Sequence, residues 1–87
     1  MSEIRILGIN VFDRIKESGR AQKILSKYAH SIKTRLGFHE LTADVCSRTG
    51  FIILELKGDP SKWEALEMEL NEVGGLNLQR MSFQLPK

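Results

Sequence analysis

Two stretches of the chain, residues 4–12 and residues 51–57, are apolar on both faces of an extended backbone. Successive side chains of a β-strand point to opposite sides of the sheet, so a strand with one wet face alternates apolar and polar residues. In the first stretch, Leu7, Ile9 and Val11 fall on one face, and the other face is also largely apolar. The second stretch, FIILELK, is a nearly continuous apolar run. The sequence therefore predicts two central strands in a sheet that is covered on both sides.

An amphipathic helix is predicted after each of these strands. Asp13 is the predicted N-cap of a helix over residues 14–29, because an aspartate there accepts hydrogen bonds from free backbone N–H groups. Asp59 and Pro60 predict the start of the second helix, which the later Gly-Gly pair ends. The apolar stripes are Ala21, Ile24, Leu25 and Tyr28 in the first helix and Trp63, Leu66, Leu70 and Val73 in the second.

The stretch SIKTRLGFHE has two interpretations. As a helix, it would extend the stripe of the first helix through Ile32 and Leu36. As a strand, it agrees with the alternation of apolar and polar side chains over residues 31–38. Thr34 and Gly37 are both poor residues for a helix interior. We therefore interpret the segment as a strand.

A hairpin and a final strand complete the pattern. The segment SRTG, residues 47–50, has turn chemistry and predicts the connection into the following strand. Residues 76–85 are predicted as the last strand, and because its apolar positions change phase we predict a bulge near Gln79 to Arg80. The order β-α-β-β-α-β predicts one α+β domain over residues 1–87 with the ferredoxin-like fold, a four-stranded antiparallel sheet with two helices on one face.

Helices on one face leave the other face of the sheet uncovered in a single chain. Because the central strands are apolar on both sides, we expect a second copy of the same sheet to cover that face. The sequence therefore predicts a homo-oligomer, either a dimer or a tetramer. The predicted oligomer face includes Ile52 and Leu54, or their neighbours.

Length and composition restrict the function classes. At 87 residues the chain is a single small domain, with no room for an active site between two domains. It contains no nucleophile motif or phosphate-binding loop, so the sequence predicts that it is not an enzyme. The formal charge of +2, the single cysteine, and the absence of a signal-peptide pattern or a membrane-spanning run predict a cytoplasmic protein without membrane contact.

The segments that carry these predicted elements include VFDR, ILSKY, RLGF, FIILELKGD and WEALEMELNEVGGLNLQRMSF. Together they resemble the family of iron-only hydrogenase system regulators, which are free-standing ferredoxin-like domains similar to ACT domains and to the C-terminal domain of the nickel-responsive repressor. The resemblance implies a non-catalytic regulatory domain that senses a small-molecule ligand at a subunit interface and acts in transcriptional or metabolic regulation. The ACT loop Asp-Arg-Pro-Gly reads Asp13-Arg14-Ile15-Lys16 here, which argues against amino-acid binding at that loop.

The resemblance to the nickel-responsive domain also implies where a metal would bind. That domain uses an H-x-H pair on its second strand, a cysteine shortly after it and a histidine of a neighbouring subunit. Here the H-x-H positions hold Gly37 and His39, with Cys46 further along and His30 elsewhere. One histidine and one cysteine are too few ligands for a first-row metal. We predict no resident cofactor; the alternative is Ni²⁺ or Zn²⁺ held across a subunit interface by His39, Cys46 and His30.

Charge is distributed unevenly between the two predicted helices. The first carries a basic ridge, whereas the second is rich in glutamate. Either the helices attract each other as solvated surfaces, or the basic ridge docks an acidic protein partner, as in an interaction module without a ligand. No helix-turn-helix, zinc-finger or RNA-binding motif occurs, so direct nucleic-acid binding is not predicted. The basic ridge consists of Lys16, Arg20, Lys23 and Lys27.

Overall fold

A computed structural model of the chain describes residues 2–12, 14–41 and 46–86, and the side chains of these residues outside 14–18, 38–41 and 46–49. The strands and helices follow the predicted order. They are β1 (Ser2–Val11), α1 (Arg14–Lys27), a short 3₁₀ helix (Ala29–Ser31), β2 (Ile32–Leu41), β3 (Cys46–Leu56), α2 (Pro60–Asn71) and β4 (Leu76–Leu85). No helix of the described part is long and apolar enough to span a bilayer.

The four strands form one antiparallel sheet in the order β2-β3-β1-β4. The two strands that the sequence predicts to be central, β1 and β3, are central, and the ferredoxin-like α+β fold is confirmed. On β1, Leu7 and Ile9 lie beneath the helices, on the face that we call the helix side. The alternate residues of β1, among them Gly8 and Asn10, lie on the opposite face, which we call the open face.

The core lies between the helix side of the sheet and the two helices. Leu7, Leu54 and Leu66 are completely shielded from solvent there. The ring nitrogen of Trp63 donates to the carbonyl of Lys57 at 2.7 Å, so this large side chain is buried without an unpaired polar atom. The predicted stripes of both helices are confirmed, with Ala21, Leu25, Trp63, Leu66, Leu70 and Val73 buried and Ile24 and Tyr28 packed against the core.

The stretch SIKTRLGFHE forms a strand from its second residue onward, as interpreted from the sequence. β2 begins at Ile32 and pairs with β3 through Leu36↔Ile53 among other residues. Arg35 points to the helix side and donates a hydrogen bond to Gln22 of α1 at 2.9 Å. The alternation in the sequence thus reflects a strand that packs differently on its two faces.

The turn predicted at SRTG is wrong, because these residues belong to β3. The strand begins at Cys46, which pairs with Leu41 of β2. Gly50 pairs with His39 on one side and Val11 on the other, is buried, and does not have a positive φ. Serine, threonine and glycine are common in turns, but they also fit a strand whose neighbours supply the pairing, and here the pairing decides.

The second helix begins as predicted. Asp59 accepts a hydrogen bond from the backbone N–H of Ser61 at 2.9 Å, which lowers the pKa of the Asp59 carboxyl, and Pro60 occupies the first helical position. Gly75, with a φ of 83°, turns the chain into β4 in a conformation that glycine adopts without strain. The N-cap predicted at Asp13 lies outside the described residues.

The bulge predicted near Gln79 to Arg80 is also wrong. β4 pairs with β1 in a continuous register over all of its 10 residues. The apolar positions change phase because Leu76 and Leu78 pack against the core, whereas Met81 and the apolar residues that follow lie on the open face. The apolar residues of β4 therefore lie on the helix side in its first half and on the open face in its second half, with no break in pairing.

Candidate functional site

The open face of the sheet is apolar, as the two-faced strands predict. Among the described side chains, six large apolar ones on this face are between 37% and 57% exposed. Their exposed area is on the order of 500 Å², near the upper end of the patches found on monomeric proteins. They are Leu36, Phe51, Ile53, Met81, Phe83 and Leu85.

The oligomer face predicted at Ile52 and Leu54 requires a correction. Ile52 pairs with Ile9 and Leu54 pairs with a buried leucine of β1, so both point to the helix side. Leu54 is 0% exposed and belongs to the core. Their neighbours Phe51 and Ile53 carry the open face of β3 instead. The near-continuous apolar run of β3 predicts two apolar faces but contains no signal for which of them the helices cover.

A pocket of about 310 Å³ lies in the open face around Gly8 of β1. Gly8 pairs with Ile53 on one side and with Gln79 on the other. Neighbouring strands lie about 5 Å apart. The side chains of Ile53 and Gln79 therefore stand on either side of Gly8, whose bare backbone forms the floor of the depression. We call this feature the Gly8 pocket. It is surrounded on the open face by Asn10, Phe51, Ile53, Asn77 and Gln79.

Neither backbone geometry nor internal packing requires a glycine at position 8. Its φ is not in the positive region, which other residues avoid. A Cβ atom built on it would meet only the backbone oxygen of Gln79, at an ordinary contact distance of 3.9 Å. Glycine in a central strand reduces stability, and it often marks a place where a ligand or another chain approaches the backbone closely. The main effect of the missing side chain at position 8 is therefore that the pocket stays open.

Three side-chain amides line one end and one side of the pocket. Asn10 pairs with Phe51 on β3 and with Asn77 on β4, and Gln79 is the neighbour of Asn77 on the same face. The Oδ1 atom of Asn10 is enclosed and has no hydrogen-bond partner within the described part of the chain. None of the described residues that line the pocket is charged. An amide group offers one donor and one acceptor, so this end can bind polar but uncharged groups.

A second, smaller pocket of about 210 Å³ continues the depression along β1 and β4. It shares Gly8, Ile53 and Gln79 with the first pocket and extends to Met81. Further along the open face, Glu55 forms an ion pair of 3.6 Å with Lys33. The charges at that end of the face therefore compensate each other, and the surface around the two pockets is mainly apolar.

The helix side contains a charged cluster around Arg5 of β1. Arg5 is only 8% exposed and lies 5.3 Å from the ring centre of Trp63. Its guanidinium contacts Glu3 at 3.0 Å and Glu67 of α2 at 2.9 Å. The hydroxyl of Ser82 donates to Glu3 at 2.6 Å, and this bond, with the nearby Arg5, lowers the pKa of the Glu3 carboxyl. This cluster connects β1, β4 and α2 and has a structural role.

The predicted metal ligands are far apart along β2. His30 is exposed on the 3₁₀ helix that precedes the strand, whereas His39 lies near its other end, roughly 30 Å away along an extended chain. The side chains of His39 and Cys46 lie outside those that the structure describes. Among the described side chains, no group of three potential metal ligands converges. Binding of Ni²⁺ or Zn²⁺ across subunits stays a prediction.

Lys27 of the basic ridge contacts the other helix. The ammonium of Lys27 lies 2.9 Å from the Glu69 carboxylate of α2, and the hydroxyl of Tyr28 donates to the same carboxylate. The hydrogen bond to Glu69 raises the pKa of Lys27. Arg20 and Lys23 are exposed, and the side chain of Lys16 is outside the described set. At Lys27, the opposite charges of the two helices attract each other.

Sequence reasoning missed the Gly8 pocket. A signal for it exists, because Gly8 is the one glycine of β1, a strand that has apolar residues on both faces. Asn10, in the same strand and on the same face, is the second signal. The three amides cannot be associated from the sequence alone, since their proximity depends on the register between β1 and β4.

Comparison with solved structures supports the fold. The chain resembles the uncharacterized protein TM1266 from Thermotoga maritima, with a TM-score of 0.78 and 24% identity over 95% of this chain and 100% of that chain. It also resembles a formyltetrahydrofolate deformylase from Pseudomonas putida KT2440, with a TM-score of 0.54 and 11% identity over 90% of this chain and 28% of that chain. A dimeric ferredoxin-like protein from an uncultured marine organism superposes with a TM-score of 0.48 and 8% identity, over 93% of this chain and 92% of that chain. At these identities the first two likenesses establish the fold alone.

No family model and no curated protein matches the chain. The resemblance to iron-only hydrogenase system regulators therefore stays a prediction.

Proposed function

We propose that this protein is a non-catalytic regulatory domain that self-associates through the open face of its sheet and binds a small molecule in the Gly8 pocket. The observation that carries the proposal is Gly8. This glycine lies in the centre of an apolar sheet face, where neither backbone conformation nor internal packing requires a glycine. A residue such as valine would fill the pocket and continue the apolar surface at no cost in backbone strain. A function that needs access to this backbone accounts for the glycine.

A second copy of the chain is the proposed cover for the open face. The exposed apolar area, on the order of 500 Å², approaches the roughly 800 Å² that each partner contributes to a stable interface. A two-fold interface sets one surface against itself, so a net charge on it would repel its copy. The ion pair between Lys33 and Glu55 keeps this face close to neutral.

Self-association would also complete the ligand site. A two-fold arrangement centred near β1 sets one Gly8 pocket opposite the other, which gives an enclosed volume of about twice 310 Å³. Ligand sites in proteins generally enclose about 300–1,000 Å³, lined by apolar side chains and a few polar groups. A ligand that binds only the assembled form stabilises it, so its concentration would control the fraction of assembled protein.

The chemistry of the pocket supports binding over catalysis. The described side chains around it are amides, aliphatic groups and one phenyl ring. None of these is a nucleophile or titrates near neutral pH, as general acid–base catalysis requires. Regulation of transcription or metabolism, implied by the resemblance to hydrogenase system regulators, would then proceed through a partner that distinguishes assembled from free protein.

The alternative is an interaction module without a ligand that docks an acidic partner through the basic ridge. The exposed position of Lys23 favours it, whereas the ion pair of Lys27 with Glu69 removes one cation from the docking surface. A thermal-shift screen against amino acids, nucleotides and divalent metals separates the two. A specific stabilising ligand supports the sensor, and silence across the whole screen supports the module.

Two methionines provide a matched test of the assembly. Met81 on the open face is 54% exposed, and Met68 on α2 is 65% exposed. We expect sedimentation velocity to find the wild-type protein and Met68→Glu assembled at tens of micromolar, and Met81→Glu monomeric with unchanged helical content. Only Met81→Glu introduces a charge that assembly would bury without a partner of opposite charge.

Two results would contradict the self-association. A monomeric wild-type protein at the same concentration would leave the open face without its proposed cover. Assembly of both variants would move the interface to the outer edges of β2 or β4.

A further inference from the structure

We infer that the ligand of the Gly8 pocket is an uncharged, planar ring compound with an amide-type edge, that is, a hydrogen-bond donor beside an acceptor. This inference rests on the proposed function and identifies the chemical class that the proposed site would bind. Carboxamide-bearing heteroaromatic rings and nucleobases share this chemistry.

The absence of charge follows from the lining of the pocket. All of its described lining residues are neutral. Two charged residues of the described part that neighbour the pocket on β3 and β4 are engaged in ion pairs: Arg80 lies 3.5 Å from Glu67 on the helix side, and Glu55 is paired with Lys33. A charged ligand would lose its hydration in an apolar enclosure without gaining a counter-ion, which opposes binding. The pocket therefore selects neutral compounds.

The planar shape follows from the floor of the pocket. At Gly8 the floor is bare backbone, and the side chains of Ile53 and Gln79 stand on the two adjacent strands, about 10 Å apart. The phenyl ring of Phe51 closes one corner. A flat ring lies against the backbone surface and contacts the aromatic face in the offset or edge geometries that such rings prefer. A puckered ring of equal size would stand away from the floor.

The amide edge follows from the polar end of the pocket. Asn10, Asn77 and Gln79 each offer both a donor and an acceptor. The enclosed Oδ1 of Asn10 has no hydrogen-bond partner among the described residues. Rotation about the soft terminal torsion of Asn10 would turn this oxygen towards the pocket, where a ligand N–H can donate to it. Asparagine and glutamine recognise the donor–acceptor edge of adenine in the same bidentate way.

Three small probes separate these requirements. Nicotinamide is neutral and planar and carries a carboxamide; nicotinate keeps the ring but is charged; cyclohexanecarboxamide keeps the amide on a puckered ring. Each is titrated to millimolar concentration into the ¹⁵N-labelled 87-residue chain while the amide signals are followed by NMR. We expect nicotinamide to shift the signals of Gly8, Asn10 and Gln79. The other two probes should bind about tenfold more weakly or worse, since each loses one of the required features.

Two asparagines provide matched variants. Asn10→Leu removes the amide from the pocket at nearly constant size, and Asn71→Leu makes the same change at the exposed end of α2. We expect Asn10→Leu to weaken nicotinamide binding about tenfold and Asn71→Leu to leave it unchanged. Gly8→Val, whose side chain fills the floor of the pocket, should abolish the shifts. Sedimentation velocity and the spread of the amide signals in the NMR spectrum check that each variant remains folded.

The outcomes distinguish this inference from the proposed function. Nicotinate or cyclohexanecarboxamide binding as tightly as nicotinamide would overturn the ligand class, as would an unchanged affinity in Asn10→Leu. If none of the three probes shifts the NMR signals while the Met81→Glu test confirms self-association through the open face, the ligand class is overturned and the proposed assembly is retained. Binding of nicotinamide to a protein that is monomeric at every concentration would support the ligand class and remove the assembly.

Discussion

The two faces of the sheet differ in a way that simple polarity would not anticipate. The helix side, which is buried, contains the guanidinium of Arg5, held between Trp63 and two carboxylates. The open face, which is exposed, contains Ile53 and Phe51 with large fractions of their surfaces in water. Both faces are built from alternate residues of the same strands. The difference teaches that the available partners, and not polarity alone, determine which groups are buried. A charge is buried where opposite charges compensate it, and apolar groups are exposed where a further molecule has yet to cover them.

The largest contrast is expected between Leu54 and Ile53, neighbours on β3 that point to opposite faces. Leu54→Ala leaves a cavity between the sheet and the helices, so the free energy of unfolding should fall by about 2–5 kcal/mol. Ile53→Ala shortens a side chain that is 40% exposed, and should cost the monomer less than about 1 kcal/mol while weakening self-association. Urea titrations at several protein concentrations measure both effects. Equal losses in the two variants would contradict the assignment of the faces.

A smaller effect of opposite sign is expected at Gly8. The methyl group of Gly8→Ala finds space, so this variant should be more stable by about 0.5–1 kcal/mol, because alanine has fewer unfolded conformations than glycine. The same methyl group raises the floor of the Gly8 pocket and should weaken nicotinamide binding. Gly37→Ala is the matched control, because its Cβ also has space, with the nearest atoms at 4.0 Å, but it points to the helix side of β2.

Gly37→Ala should therefore leave nicotinamide binding unchanged. Thermal denaturation and NMR titration of both variants make the comparison. Undiminished binding by Gly8→Ala would show that the floor at position 8 is not part of the site.

The smallest effect concerns pH and belongs to the helix side alone. Hydrogen bonds from Tyr28 and Lys27 hold the pKa of Glu69 below its usual value of 4.5. The folded protein therefore binds this proton more weakly than the unfolded chain, so the stability that Glu69 contributes is present above pH 4.5 and is lost as the pH falls below it. Glu69→Gln should lower the Tm at pH 7, and its difference from the wild-type protein should shrink as the pH falls below 4.5.

The open face supplies the comparison for this pH effect. Asn10→Leu changes a group that does not titrate, so its effect on the Tm should be equal at pH 7 and near pH 3. A difference between Glu69→Gln and wild type that persists undiminished near pH 3 would contradict the role of the carboxylate charge.

The sequence predicts most of the architecture because the order of elements depends on local patterns. The stripe of α2 and its cap at Asp59 are examples, since each is determined by residues within one or two turns. The phase of β3 could not be predicted, because FIILELK is apolar at nearly every position and either face could have been buried. The pocket could not be predicted either, since Asn10 and Asn77 meet only through pairing between the first and last strands.

The uninterrupted pairing of β4 affects how the protein resists aggregation. A 10-residue strand at the outer edge of a sheet offers an unbroken row of backbone groups to any extended chain, and natural proteins usually protect such rows with charge, proline or a bulge. The sequence of β4 contains one charged residue, Arg80, whose guanidinium lies 3.5 Å from Glu67 of α2. Loosening of α2 would release Arg80 from this contact and expose the core face of β4 beside its free edge. We therefore expect variants with a weakened α2 to pair more readily through the edge of β4 than the wild-type protein does.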